Sequence, residues 1–447
     1  MPSRSPTFTV VLVAAWLLSG CHDDAASADT APWAKAFGDD ADQSQIAIAV
    51  NEAGDVVLAG ALSARLDLGG GPITDDPLAS NDIFVGELDP SGKHRWSVGT
   101  GSDGSQLPMS VAFDPRGNVL VTGMFENEID FGDGPIDALT QDIFLASFDD
   151  RGRFAWAKHF SADDGGPSGA GTSSANAVAV GGDGNIIIAG TFTGTLGFGG
   201  KPIDTPKDGQ SGFVAKLDPS GEHIYSIVLQ PGDLSVRGLA VDMLGAATVV
   251  GITGSNIGGA GFITRLDPDG SPSWRVGLIG TVPPSTNAVA LDLQGNTFVG
   301  GCFTGDMVFD DRTVPGSSNV TGFVAKVAPD GTTQWIKTLD RSCVTALDAD
   351  AIGHIHVGGQ YIGAPKLAGR ELPHNGLGAA FVAVLDPVGT IVEASALGHA
   401  GNVSIVTSVA VAGDHVVVAG NFDGQLDTPV GTLSSLGFRD FFVARLP

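Results

Sequence analysis

Apolar residues along this chain come in short runs in which neither alternate face is polar, and clusters of Gly, Pro, Asp and Asn separate the runs. Such runs predict short strands buried on both faces, not long amphipathic helices. One run recurs in recognisable form: residues 213–221, FVAKLDPSG, have relatives beginning at Phe84, Phe144, Phe262, Phe323, Phe381 and Phe442. One supersecondary unit is therefore copied end to end.

Each copy holds four strand-like pieces in fixed order. The first carries an Ala between larger apolar residues, read at Ala49, Ala112, Ala179, Ala240, Ala290, Ala346 and Ala410. The second, as in residues 118–125, carries a Gly, at Gly60, Gly123, Gly190, Gly251, Gly301, Gly359 and Gly420. A longer Gly- and Pro-rich stretch, with the pattern of a small extra hairpin, leads to the third piece, the FVAKL type. An Asp-Pro-x-Gly turn then gives a hairpin into the fourth, which bears Trp96, Trp156, Tyr225, Trp274 or Trp335. Pro presets the backbone angle at the second turn position and Gly tolerates positive φ at the fourth, so the turn has a mechanism.

Two hairpins per unit make a four-stranded antiparallel sheet, and apolar residues on both faces require cover on both sides. Radial stacking about an axis meets that need, with the Ala-bearing strand nearest the axis. An orphan Trp-bearing piece at residues 33–37 precedes the first unit, and the last unit lacks one. Pairing 33–37 with 442–446 predicts an all-β fold, a seven-bladed β-propeller of four-stranded blades closed across its ends. Residues 33–447 form that domain. The hairpin FVAKLDPxG, the VAVD strand and Gly-Asn followed by an apolar run and Gly-x-Phe resemble the bacterial SBBP β-propeller repeat of secreted and lipid-anchored proteins. That resemblance implies binding or scaffolding and names no target. The fourth unit departs from it with a short middle stretch at 254–261, and the sixth hairpin lacks a Trp at Ala394.

Composition changes the picture in one respect. The 447 residues include 23 Lys+Arg and 50 Asp+Glu, a net charge of −27. No nucleic-acid partner is expected, since phosphate binding needs a basic stripe. Residues 1–20 read as an export signal, with Arg4, an apolar core at 10–18, and small Ser19 and Gly20. Leu18-Ser19-Gly20-Cys21 resembles a bacterial lipobox, which implies diacylation of Cys21 and stable membrane anchoring. His22 in place of an Asp favours the outer membrane, on its periplasmic or surface face, if the cell is Gram-negative. Residues 21–32 are the lipidated Cys and a flexible tether. In an oxidising compartment the remaining Cys302 and Cys343 are able to form a disulfide.

The longer connections gather on one face of the disc, which is the expected binding surface for a protein or glycan. Glu126, Glu128, Arg237, Arg341 and His399 lie near or within those connections, too scattered for assigned roles. Asp39, Asp40 and Asp42, the pair Asp130 and Asp133, and the pair Asp310 and Asp311 match no calcium loop. His354 and His356 alternate on one strand without a third ligand. No metal, cofactor or catalytic residue is expected, and the familiar enzyme motifs do not occur. An envelope lyase or hydrolase with its site over the central channel remains the alternative, because propeller sites assemble from single residues on several blades.

Overall fold

The computed structural model of the chain describes residues 31–38, 46–62, 65–74, 82–100, 104–163, 171–206, 209–230, 234–254 and 260–447. The export segment, Cys21, nearly all of the tether, and Asp39, Asp40 and Asp42 lie outside the described residues. Those described form strands and turns with no helix.

The strands run as four-stranded antiparallel meanders. The first to seventh sheets have inner strands Ile46–Val50, Gln106–Phe113, Ser173–Val180, Leu234–Val241, Ser285–Leu291, Ser342–Ala349 and Ser404–Ala412. Their outer strands, in the same order, are His94–Thr100, Phe154–Phe160, His223–Gln230, Pro272–Gly280, Thr333–Asp340, Ile391–Leu397 and, from the other end of the chain, Trp33–Phe37. That last strand pairs with Asp440–Arg445, from Trp33 opposite Arg445 to Phe37 opposite Phe441. The pairing is thus one residue earlier than 442–446. Each inner strand packs on the next, and the seventh packs on the first. This is a β-propeller.

Its apolar core lies in layers between neighbouring sheets. Leu145, Ile188 and Phe213 belong to the layer between the second and third, and Ile46, Phe84 and Val443 to the layer between the seventh and first. The repeated Phe of the FVAKL strand is the anchor of each layer. All seven, from Phe84 to Phe442, are at most 1% exposed, and burying each contributes about 1.5–3 kcal/mol.

The repeated Gly is required by that Phe and by a bulge. Phe213 stands directly opposite Gly190, and the same pairing joins Gly60 to Phe84, Gly123 to Phe144, Gly251 to Phe262, Gly301 to Phe323, Gly359 to Phe381 and Gly420 to Phe442. In the second to seventh sheets one extra residue is inserted into the inner strand just there: Met109, Asn176, Arg237, Asn287, Thr345 or Thr407. The bulge turns a carbonyl over the glycine. A Cβ on Gly190 would collide with the Ser174 carbonyl oxygen and stand 2.9 Å from the Phe213 ring.

Extra hairpins project between the second and third strands, as in Arg65–Asp67 with Pro72–Thr74 and Gln425–Thr428 with Gly431–Ser434. Leu66, Leu68, Phe198, Phe309 and Leu426 of these hairpins are buried, so the hairpins roof the outer ends of the sheets. The one after the fifth sheet's second strand adds Met307–Phe309 to the outer strand of the fourth.

Replacing Gly190 by Ala is expected to lower the unfolding free energy by about 2–3 kcal/mol, because neither the carbonyl nor the ring has room to retreat. Gly277→Ala, on an exposed strand position where an added Cβ meets nothing within 4 Å, is expected to change it by less than about 0.5 kcal/mol. Urea unfolding midpoints of the two variants provide the comparison.

Candidate functional site

The two faces of the disc are built differently. On the short-turn face, an Asp Oδ1 in eight of the tight turns accepts the N–H groups two and four residues on. Asp89 holds Ser91 and Lys93, Asp218 holds Ser220 and Glu222, and Asp386 holds Val388 and Thr390. Hydrogen bonds to Thr390, first among the causes, hold the Asp386 carboxyl below its ordinary value. The repeated Asp is thus a turn fastener and not a ligand.

Each sheet also carries a row of four directly opposed residues next to those turns. In the third sheet it is Ala179, Ile187, Lys216 and Tyr225, and in the fifth Ala290, Phe298, Lys326 and Trp335. The aromatic at the end of the row lies against the turn glycine of the next sheet: Trp33 on Gly92, Trp96 on Gly152, Trp156 on Gly221, Tyr225 on Gly270, Trp274 on Gly331 and Trp335 on Gly389. Trp33, Trp274 and Trp335 also donate their indole N–H to the turn Pro carbonyl, at 2.9 to 3.2 Å. At these junctions the turns and the three indoles are satisfied within the short-turn face itself.

The first sheet varies this row. Glu87 replaces the cation, is 3% exposed, and accepts from Trp96 Nε1 at 3.1 Å and from Arg95 at 3.3 Å. Burial, and then the nearby Asp55 carboxylate, push Glu87 up to about 7.

The sixth sheet breaks the row. There the opposed residues are Asp348, His356, Val384 and Glu393. Two expectations are corrected by this register. Ala346 stands two positions before the Ala slot, which Asp348 occupies, and the aromatic slot belongs to Glu393, not Ala394. Asp348 accepts the Val411 N–H of the seventh sheet and the Ala349 N–H, both at 2.8 Å, and burial pushes it up to about 6. His356 is held below its ordinary value by burial, against the pull of Asp350 3.7 Å away. His354 instead bonds Asp350 across the turn at 3.1 Å.

On the long-loop face the connections differ from sheet to sheet. His399 Nδ1 meets Asp427 at 2.8 Å, and Arg341 sits at positive φ beside Asp340. Glu126 is exposed beside Asn127, which also has positive φ, and the Glu128 backbone accepts from Gln106. These predicted residues share the face but, apart from Glu126 and Glu128 on one strand, stand in separate sheets. A cluster that the motif search missed lies there too: Asp142, fully buried, accepts Ser161 Oγ at 2.7 Å and faces His159 Nε2 at 3.2 Å. Its signal was an Asp two residues before the repeated Phe, also present at Asp82 and Asp440. Ser161 and Asp142 both address the same ring nitrogen, whereas a nucleophile relay needs one partner on each. Asp142 also accepts the Leu139 N–H, so the cluster ties the loop down.

Arg237 lies apart from the others. It is the inserted residue of the fourth sheet's bulge and lines the central channel, a space of about 220 Å³. Bulge residues clip consecutive sheets there: Asn176 donates to the Val236 carbonyl, Asn287 to Val344, and Thr345 to Val406. Arg237 is the one charged side chain among the described residues lining the channel. Asp130 accepts from Gly132 and Gly134 within its own turn, Asp133 is exposed, and Asp310 accepts Thr333 Oγ1 beside Asp311. Among the described residues no group of three or more His, Cys, Asp and Glu is arranged to hold a metal ion. The sulfurs of Cys302 and Cys343, in adjacent sheets, meet with Cα atoms 4.9 Å apart.

No family model matches this chain, and no curated protein matches it. Solved structures similar to it include a Dos1 propeller, at 10% identity over 92% of this chain and 95% of that one with a TM-score of 0.44. U3-55K is similar at 9% identity over 92% and 98%, with a TM-score of 0.46. Sqt1 of Chaetomium thermophilum, solved bound to the N-terminus of the ribosomal protein L10, is similar at 13% identity over 86% and 96%, with a TM-score of 0.42.

Because Glu87 binds its proton more tightly folded than unfolded, its contribution favours the native state at acid pH and is lost as pH rises from about 4.5 through about 7. Glu87→Gln should flatten that part of the stability profile and gain relative to the parent at about pH 8. Urea midpoints measured across this range test it.

Proposed function

We propose that this chain is a lipid-anchored protein of the cell envelope, a closed seven-bladed propeller that binds a protein or glycan partner through its longer-loop face. The contrast between the two faces carries the reading. One face repeats similar Asp-fastened turns and seats an aromatic on six of them, so that it differs little from sheet to sheet outside the sixth. The other varies in loop length from sheet to sheet and carries unshared groups such as His399 with Asp427. The pairing of Trp33–Phe37 with Asp440–Arg445 and the packing of the seventh inner strand on the first support closure. The resemblance of residues 18–21 to a lipobox supports the anchor on Cys21, and the SBBP resemblance supports the same address. The channel wall is mostly apolar, with amides, hydroxyls and one guanidinium as its polar groups, and among the described residues it holds no carboxylate or imidazole for proton transfer, so the lyase or hydrolase reading draws no support from it.

Photo-crosslinking side chains placed in cells at Arg341 and His399 should capture one common partner, while the same groups at Ser220 and Asp330 on the short-turn face should not. Capture from the short-turn face alone would overturn the assignment. Cys21→Ser should abolish uptake of labelled fatty acid and release the protein from membranes.

We further infer that Cys302 and Cys343 are bridged in the exported protein. The pair closes a loop with a sequence separation of 41, for which the chain-entropy model gives about 3–4 kcal/mol. Titration of the unreduced, unfolded protein should find neither thiol free, and Cys302→Ser with Cys343→Ser should lose stability of that order.

A further inference from the structure

The broken row of the sixth sheet coincides with a cleft. At the other six junctions an indole or phenol ring fills the space between the outer strand of one sheet and the third turn of the next. The seventh sheet has no such turn, because its two outermost strands, Asp440–Arg445 and Trp33–Phe37, come from distant parts of the chain. Opposite that gap the aromatic is also missing, and Glu393 stands in its place. What remains between the sixth and seventh sheets is an opening of about 300 Å³. That lies at the small end of the range for ligand pockets, about 300–1,000 Å³.

The chemistry of the walls is mixed in a particular way. Val384, Val409, Val416 and Pro447 supply apolar surface, while His356, Glu393 and Ser395 supply the polar groups. Glu393 is exposed and, among the described residues, makes no hydrogen bond or ion pair, though its charge bears on His356 beside it. Asp348 closes the inner end of the row, already committed to the Val411 N–H. A flat ring there would take the place that Trp335 holds one junction earlier, against the turn glycine Gly389. The exposed carboxylate at the rim then calls for a donor or a positive charge on the occupant, and the net charge of −27 draws cations in.

We propose that this cleft is a binding site for an aromatic ring bearing an ammonium or N–H group, taking the place that Trp or Tyr fills at the other junctions. The group arrives on a free aromatic amine or on a Trp side chain of a basic peptide. The site stands on the short-turn side of the disc and is independent of the partner proposed for the longer-loop face.

Tryptamine titrated into the full chain and followed by methyl NMR should shift Val384, Val409 and Val416 saturably. Indole-3-acetate, with the same ring and the opposite charge, should bind at least about fivefold more weakly, as should tryptamine to Glu393→Gln. Glu393→Trp should refill the slot and abolish binding while leaving the near-ultraviolet spectrum of a folded protein. A Trp-bearing basic hexapeptide that binds more tightly than tryptamine identifies the peptide source, and one that binds no better identifies the free amine. Unshifted valine methyls, equal affinity for indole-3-acetate, or undiminished binding to a folded Glu393→Trp protein would each overturn the proposal. The methyl shifts of the unsubstituted chain decide the matter even if the Trp variant does not fold.

Discussion

The architecture depends on one contact made seven times: a phenylalanine ring lying across a strand from a glycine. The ring occupies the space a side chain would take, while in six sheets a bulge carbonyl covers the same glycine from the inner strand. Three strands are thereby locked at one point. The pair also fixes where the bulge falls, and with it the residue that enters the channel. Because the seven rings are buried in the layers between sheets, the element that sets register inside a sheet also joins it to its neighbour.

A second repeated contact governs the rim. The glycine of the Asp-Pro-x-Gly turn is needed for its positive φ, and equally because the previous sheet's aromatic lies against it. Turn and ring therefore form one feature shared between two sheets. Where the seventh sheet dispenses with the turn, the ring in the sixth loses its seat. The residues of that row differ together, to Asp348, His356, Val384 and Glu393, which is the behaviour of an interface and not of four independent positions.

Most of the fold was legible because it rests on local rules. Apolar runs of strand length, Asp-Pro turns and fixed-order repeats all act within a few residues, and the orphan strand at Trp33 was legible by counting. The site was less so. Reading the Ala of the sixth unit at Ala346 and the missing Trp at Ala394 followed the resemblance of residue types. The Ala-to-Gly offset shared by the first five units and the constant offset from the repeated Phe lead instead to Asp348 and Glu393. The buried Asp142 with His159 and Ser161 escaped notice because its members serve a loop and carry no motif.

The linear order of residues thus determines the strands, the turns and the number of repeats, since backbone preference and side-chain alternation are local properties. Which side chains share a space is settled only when sheets pack. A bulge displaces the count by one, and every residue beyond it meets a different neighbour. Arg237 became a channel residue in this way, and Glu393 came to face an open cleft instead of a turn. The volume of that cleft depends on what a sheet some sixty residues away fails to supply, and no spacing within the sixth unit records it.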